Sequence, residues 1–230
     1  MKPKNPDTVI IKNKFYTKGL KEIAVWNYYN DVKGALLKET INRNLMVAIM
    51  TDVNKPVLRR KFDQGGVIRL TQSNFDTIIT GRTISIHSSM GSYENFAILD
   101  IDIDPSDSFS WAKKVTADVY DFVMDKIPIV RKAEIRFSGK TSFHIKCDFG
   151  RKMKIDAVRF LLQKFLRESP LVKVYTIGGK RSPGIPNIDL NRNCYNCNFI
   201  TLHSLSIWGL KCMNVDYRSL KGFNPRMAMI

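Results

Sequence analysis

The stretch Phe96-Ala97-Ile98-Leu99-Asp100-Ile101-Asp102-Ile103-Asp104-Pro105 decides how the rest of the chain is read. Phe96 to Leu99 is a continuous apolar run, the pattern of a strand buried on both faces. It passes into a strict alternation of Asp and Ile. Successive side chains of a strand point to opposite faces, so Asp100, Asp102 and Asp104 share one face. Three carboxylates on one face repel one another unless a cation sits among them. Oxygen donors suit hard cations such as Mg²⁺ or Mn²⁺. Two such ions about 4 Å apart can clamp the attacking and leaving oxygens of a phosphoryl transfer. The plainer reading is an acidic turn at a strand end, with Asp104-Pro105 as ordinary turn chemistry.

Working outward, Ala112, Val115, Val119, Phe122 and Val123 recur at helical spacing and predict a helix over 110–126, ended by Pro128. A strand over Ala133–Phe137, a small polar loop Ser138-Gly139-Lys140-Thr141-Ser142 and a strand over Phe143–Cys147 follow. Ile155, Val158, Leu161, Leu162 and Phe165 predict a helix over 154–167. Gly178 to Pro186 is a basic loop rich in Gly and Pro, leading to the short segment Asn187-Ile188-Asp189-Leu190. Phe199–Leu202 is strand-like. Toward the N-terminus the pattern predicts an arm with the apolar run Val9–Ile11, a helix over 20–38 and a strand over Leu45–Met50. A turn at Asp52–Pro56 leads to a hairpin partner over Val57–Phe62, and short strands follow at Thr77–Ile79 and Thr83–Ile86. This alternation predicts a mixed α/β (α+β) fold. The 230 residues suit one domain of two lobes, 1–90 and 91–230.

The chain carries 37 Lys and Arg against 21 Asp and Glu, a formal charge of +16, with 44% hydrophobic residues. A surplus of that size attracts polyanions, and nucleic acid is the common intracellular one. A solvated basic surface is the alternative. Against that background the grouping of Asp100, Asp102, Asp104 and Asp107 points to a metal. No apolar run is long enough to span a bilayer. The polar start, Met1 to Asp7, lacks a secretory core, so a cytoplasmic location and no membrane partner are expected. Cys147, Cys194, Cys197 and Cys212 do not form a secreted disulfide framework, and reduced thiols are expected. Cys194 and Cys197 have zinc-like spacing, with His203 and Cys212 as further ligand types. The rest of that spacing is irregular, and zinc is not expected.

The loop from Ser138 to Ser142 offers hydroxyls, backbone amides and Lys140 to a phosphate. Its glycine spacing is not that of a Walker loop, and no helix follows. His144 falls on a strand that otherwise reads as core, where a histidine is ordinarily a satisfied core residue. Asp189 ends a short apolar segment just after Lys180 and Arg181.

Taken in order, Asp100-Ile-Asp102-Ile-Asp104, Ser142-Phe-His144 and Ile188-Asp189 resemble the three signature motifs of the archaeo-eukaryotic primase superfamily. The polymerase domains of bacterial ligase D and their stand-alone relatives resemble the chain most, in Asp102-Ile-Asp104-Pro105 with Trp111, and in Ser138-Gly-Lys-Thr-Ser-Phe-His144. Phe15-Tyr16-Thr17-Lys18-Gly19, Tyr28-Tyr29 and Asn42-Arg43 resemble the opening of that domain. The resemblance covers roughly residues 12–215.

The resemblance implies a primase-like core of two small sheets flanked by helices around a central cleft. It implies a template-dependent DNA primase or polymerase that adds nucleotides to a 3′-hydroxyl with two Mg²⁺ or Mn²⁺ ions. Asp102 would hold metal with Asp100 or Asp104, and Asp189 would be the third carboxylate. His144 with Ser138 or Ser142 would bind the triphosphate, helped by Lys140, Lys180, Arg181 and His87. Lys14 and Lys18 match lysines that grip a DNA 5′-phosphate. The implied partners are DNA, nucleoside triphosphates, a ligase and an end-binding protein, in end repair or in priming. One departure is that Lys211 alone stands near Ser204-Leu205-Ser206, where the family often has a basic residue. A metal-dependent nuclease and a non-catalytic nucleic-acid-binding module of the same fold are the other readings of these residues.

Overall fold

The computed structural model describes residues 3, 5–51, 55–62, 65–103, 108–178 and 184–230. The chain divides into two compact units, Met1–Ser89 with Ile200–Met213 and Asn224–Ile230, and Met90–Phe199 with Asn214–Phe223. Two late segments of the chain, Ile200–Met213 and Asn224–Ile230, belong to the first unit.

The first unit opens with β1 (Val9–Ile11) and β2 (Leu20–Lys21), an antiparallel pair. Two helices follow, α1 (Glu22–Asp31) and α2 (Lys33–Glu39). The single helix expected over 20–38 is interrupted at Val32, where φ is −95° and ψ is 5°. The hydrogen-bond ladder continues across it, from Val32 N to Tyr28 O and from Leu36 N to Val32 O. Next come β3 (Leu45–Met50), β4 (Pro56–Arg59), the one-turn helix α3 (Phe75–Ile78) and β5 (Thr83–Ser89). β3 is central, with β4 and β5 antiparallel on either side. The strand expected at Thr77–Ile79 is therefore corrected to helix. Asn74 Oδ1 accepts from Thr71 N at 2.8 Å, and Asn74 O accepts from Thr77 N and Ile78 N, each at 3.1 Å. Such local side-chain turns override the β preference of Thr and Ile.

The second unit holds β6 (Tyr93–Asp102), α4 (Phe109–Lys126), β7 (Lys132–Phe137), β8 (Phe143–Lys154) and α5 (Ile155–Arg167). β9 (Thr176–Ile177) and β10 (Asn187–Asp189) follow. The chain re-enters the first unit in β11 (Asn198–Ile200), next to β5, and leaves it in β12 (Met213–Val215), next to β7. The larger sheet runs β12-β7-β8-β6-β10-β9. The mixed α/β architecture is as expected: among the described residues one sheet has four strands, one has six, and β1 with β2 forms a third. The six-stranded sheet grows because short segments that look like loop and tail add edge strands to the long β6–β8 pair.

Packing explains why β6 sits in the middle. Ala97, Leu99 and Ile101 face Val115, Val119 and Val123 of α4 and Val158 and Leu162 of α5 in one buried cluster. Burying a Val or Leu fully is worth about 1.5–3 kcal/mol, so these two helices fix which face of the sheet is apolar. Ser108 caps α4 by accepting from Trp111 N at 3.2 Å. On the opposite face Phe96 and Ile98 join Met90, Ile155 and Phe199 in a smaller cluster. Asp100 comes next on that face. No helix among the described residues is long and apolar enough to cross a membrane.

Candidate active site

Sheet register assembles the site. Asp100 stands opposite Asp189 on β10 and opposite His144 on β8, and His144 stands opposite Arg136 on β7. Directly paired residues share a face, so Asp189, Asp100, His144 and Arg136 form one row across four strands. Asp102 stands opposite Asn187 in the adjoining row, two residues along the same face of β6. The opposite face at this level carries Leu99, Ile145, Ile101, Phe143 and Ile188, all core. Phe143 packs within ring-contact distance of Phe109, Phe137 and Phe223, which fixes the strand that presents His144.

Asp100 is buried, 5% exposed. His144 Nε2 approaches its Oδ1 at 3.3 Å, and Arg192 Nε approaches its Oδ2 at 3.6 Å. The His144 contact falls short of hydrogen-bond geometry, and Oδ1 has no hydrogen-bond partner. Burial pushes the Asp100 carboxyl up, but the His144 ring and the Arg192 guanidinium outweigh it, and the group is held below its ordinary value. Asp189 Oδ1 accepts from Asn191 N at 2.8 Å in the turn that follows β10. Two residues on, the Asn193 side chain accepts from Ile98 N at 2.7 Å and donates to Ile98 O at 2.6 Å. That fully buried clamp ties the turn carrying Arg192 to the strand carrying Asp100.

The hairpin between β7 and β8 closes on itself. Ser138 N and Oγ donate to Ser142 O at 3.0 and 2.9 Å, and the two hydroxyls lie 2.9 Å apart. Gly139 takes φ 80°, a conformation that glycine adopts without cost. Lys140 is exposed at the tip. Trp111, one of the residues that carry the resemblance, lies 6.2 Å from the Tyr175 ring and packs against the core.

The remaining candidates lie in the first unit or outside the described residues. His87 is on β5, with Ser85 Oγ 3.1 Å from its Nε2. Lys14 and Lys18 are exposed on the turn between β1 and β2. Lys14 Nζ lies 5.3 Å from the Phe15 ring and 5.7 Å from that of Trp208. Asn13 Nδ2 donates to Trp208 O at 3.0 Å, Tyr16 hydroxyl donates to Gly209 O at 2.9 Å, and Gly19 turns with φ 89°. Asp104, Lys180 and Arg181 fall outside the described residues.

The cysteine expectation is corrected. Cys194 and Cys197 form a disulfide, with Cα atoms 5.4 Å apart. Asn196, at φ 61°, turns the chain and Cys197 N donates to Cys194 O at 3.1 Å, which brings the two within bonding reach. His203 and Cys212 belong to the other unit. Cys147 and Cys212 are buried and outside any disulfide, and burial pushes the Cys147 thiol up to about 12.

Among the described residues no three His, Cys, Asp or Glu form a group placed to hold a metal ion. Asp100, Asp102 and Asp189 present carboxylates from one face of two adjacent strands, and Asp100 Oδ1 and Asn187 Oδ1 are buried without a hydrogen-bond partner. Arg136, Arg192 and Asn193 stand in no motif of the sequence, and Asn187 stands in one only as a neighbour of Asp189. Arg192 and Asn193 had a signal, standing three and four residues after Asp189.

No protein-family model matches the sequence, and no curated protein does either. Among solved structures, the polymerase domain from Mycobacterium tuberculosis Ligase D, in complex with DNA, aligns with a TM-score of 0.78. The alignment covers 98% of this chain and 89% of that one at 12% sequence identity. The chain has the fold of a ligase D polymerase domain. In this ligase D polymerase fold the Asp100 row occupies the middle strands of the larger sheet, on the face turned away from α4 and α5.

Proposed function

We propose that the chain is a template-dependent nucleotidyl transferase that extends a nucleic-acid 3′-hydroxyl. The observation that carries this reading is the register that lines up Asp189, Asp100 and His144, with Asp102 beside them, in the fold of a ligase D polymerase domain. In the proposed reaction the primer 3′-hydroxyl attacks the α-phosphate of a nucleoside triphosphate. One phosphodiester bond forms, the bond to the β-phosphate breaks, and pyrophosphate leaves. Two Mg²⁺ or Mn²⁺ ions held by Asp100, Asp102 and Asp189 would neutralise phosphate charge and lower the pKa of the attacking hydroxyl.

The chain's own residues do the positioning, which is most of the catalysis in phosphoryl transfer. His144 offers a ring N–H toward the triphosphate, and Ser142 and Lys140 offer a hydroxyl and a cation from the adjoining hairpin. Phe143 keeps His144 in place from the other side of the strand. Lys180 and Arg181 are further candidates for the same ligand, and Asp104 for the metal ions. The net charge of +16 favours a polyanionic template held through its phosphates. Lys14 and Lys18 form a separate anion site suited to a DNA 5′-phosphate.

A labelled primer on a template strand, with Mg²⁺ or Mn²⁺ and either ribo- or deoxyribonucleoside triphosphates, tests the reading. Extension with release of pyrophosphate is the expected result. Primer shortening that needs no nucleotide would identify a nuclease instead, and binding with neither outcome would identify a non-catalytic module.

A further inference from the structure

The outer side of α4 carries charges that the proposed reaction does not use. Val115, Val119 and Val123 bury one face of α4 in the core. Lys113 and Lys114 stand four and three residues before Ala117, so these three flank one strip of another face. A 3-10 helix, Tyr217–Gly222, follows β12 and lies along that strip. Side chains three apart on a 3-10 helix eclipse, so Arg218 and Lys221 share a side. The two rows line a cavity of about 420 Å³ that also takes in Ala117 and the buried Leu220. Its described lining holds four cations and no carboxylate. The walls are fixed. Lys113 Nζ donates to Lys221 O at 2.5 Å and to Phe223 O at 3.3 Å, tying the 3-10 helix to α4. The Tyr217 ring stacks on Tyr120 with centroids 4.8 Å apart, and its hydroxyl donates to Asp121 at 2.8 Å. Asp216 caps the 3-10 helix by accepting from Arg218 N at 2.8 Å. Lys114 pairs with Asp118 at 2.7 Å, and the same carboxylate oxygen also accepts from the Tyr175 hydroxyl. Lys114, Arg218 and Lys221 are exposed.

We infer that this cavity is an accessory docking site for a nucleic-acid strand, which it grips through backbone phosphates without reading bases. The inference takes from the proposed function only the class of partner, and charge complementarity carries the rest. Lys114, Arg218 and Lys221 supply the cations that meet phosphates, with the Arg218 guanidinium suited to two oxygens of one phosphate. Lys113 serves as the tie between the two helices. Contacts of this kind hold a strand and carry no sequence information. α4 lies between the cavity and the six-stranded sheet, and the Asp100 row is on the sheet's other face. A strand in the cavity is therefore away from the proposed reacting end. The site adds a second point of attachment on one strand, which raises affinity without touching the chemistry.

Fluorescence anisotropy of a labelled single-stranded oligodeoxynucleotide with the full chain in EDTA, over a range of salt, reads this directly. Lys114→Gln with Arg218→Gln and Lys221→Gln should bind about tenfold more weakly at moderate salt. It should also lower the slope of log affinity against log salt by about 2, at about 0.7 for each phosphate released from a single strand. Lys113 is left in place because it holds the two helices together. Arg151→Gln with Lys152→Gln and Lys154→Gln removes the same charge from exposed positions of β8 and should change the slope by less than about 0.7. The extension rate at saturating primer-template should stay within about twofold in the first triple variant. Equal losses in the two triple variants would reduce the cavity to general basic surface and overturn the inference. Unchanged strand binding would overturn it too, with lost competition by inorganic pyrophosphate marking a small-anion site and lost binding of polyglutamate marking a site for an acidic protein. Because strand binding is read without metal or nucleotide, a failure of nucleotide addition would sink the proposed function and leave this readout intact.

Discussion

Asp100 is 5% exposed and is approached by the His144 ring from β8 and by the Arg192 guanidinium from the turn after β10, whereas Lys14 and Lys18 are exposed on a turn between two short strands. Both regions are candidate anion-handling sites, and they are built in opposite ways. The Asp100 row is held by long antiparallel strands with an apolar layer beneath, so each of its side chains has a fixed direction. The lysine turn is held by a few side-chain contacts, chiefly Asn13 to Trp208 and Tyr16 to Gly209. Its lysines are exposed, and Lys14 Nζ lies over the Phe15 and Trp208 rings. The lesson is that burial makes one site rigid and intolerant of substitution. Exposure makes the other adaptable and additive.

Four expected outcomes sharpen or break that contrast. The largest is Asp102→Ala, which should lower nucleotide addition by about a thousandfold or more while the protein stays folded, since the loss is of transition-state stabilisation. Extension at the unmutated rate by a correctly folded variant would remove the row from the chemistry. Next, His144→Ala should raise the apparent KM for nucleoside triphosphate by about tenfold and leave the DNA dissociation constant unchanged. A change confined to DNA binding would move His144 out of the nucleotide site.

The lysine pair should respond more gently. Unmutated protein should bind gapped DNA carrying a 5′-phosphate several-fold more tightly than gapped DNA with a 5′-hydroxyl, because the monoester carries more charge. Lys14→Ala with Lys18→Ala should erase that preference and leave extension chemistry intact. Equal affinity for the two ends at moderate salt would reduce the turn to general basic surface and shift the biology from end repair toward priming. The smallest effect concerns pH. Asp100 is held below its ordinary value in the folded chain, so its stabilising contribution is fully present above the unfolded value. It is lost as pH falls below about 4 through the depressed folded value. Asp100→Asn should therefore flatten the acid limb of a stability-against-pH curve measured by denaturant unfolding. An unchanged acid limb would mean that the buried carboxylate is not held by its neighbours.

The parts of this molecule that could be read in advance are those where a local pattern and the tertiary packing agree. β6 is legible because Phe96 to Leu99 is apolar without interruption. α4 and α5 are legible because Ala112, Val115 and Val119, or Ile155, Val158 and Leu162, recur at helical spacing and each found the same sheet to bury against. The candidate residues Asp100, Asp102, His144 and Asp189 could be singled out because they stand on recognisable strands. Three features were not. Thr77–Ile79 has the β-branched composition of a strand, but Thr71 and Asn74 close a turn just upstream and start a helix. Cys194 and Cys197 are as compatible with metal or free thiols as with a bond until Asn196 turns the chain. Arg192 is one of 37 basic residues until the Asn193 clamp sets it beside Asp100.

The sequence by itself determined the character of each segment: which faces are apolar, where helices begin and end, and that acidic residues gather at the end of one buried strand. Those properties are local, because side-chain period and turn chemistry act over a few residues. Only the tertiary structure decided the partners. Whether Asp100 meets Asp189, His144 or neither depends on which strands lie next to β6 and in what register, and a shift of one residue would turn every one of these side chains to the other face. The register is held by the apolar layer against α4 and α5, formed from residues far apart in the chain. The chemistry of the polar face is thus set by packing on the opposite one.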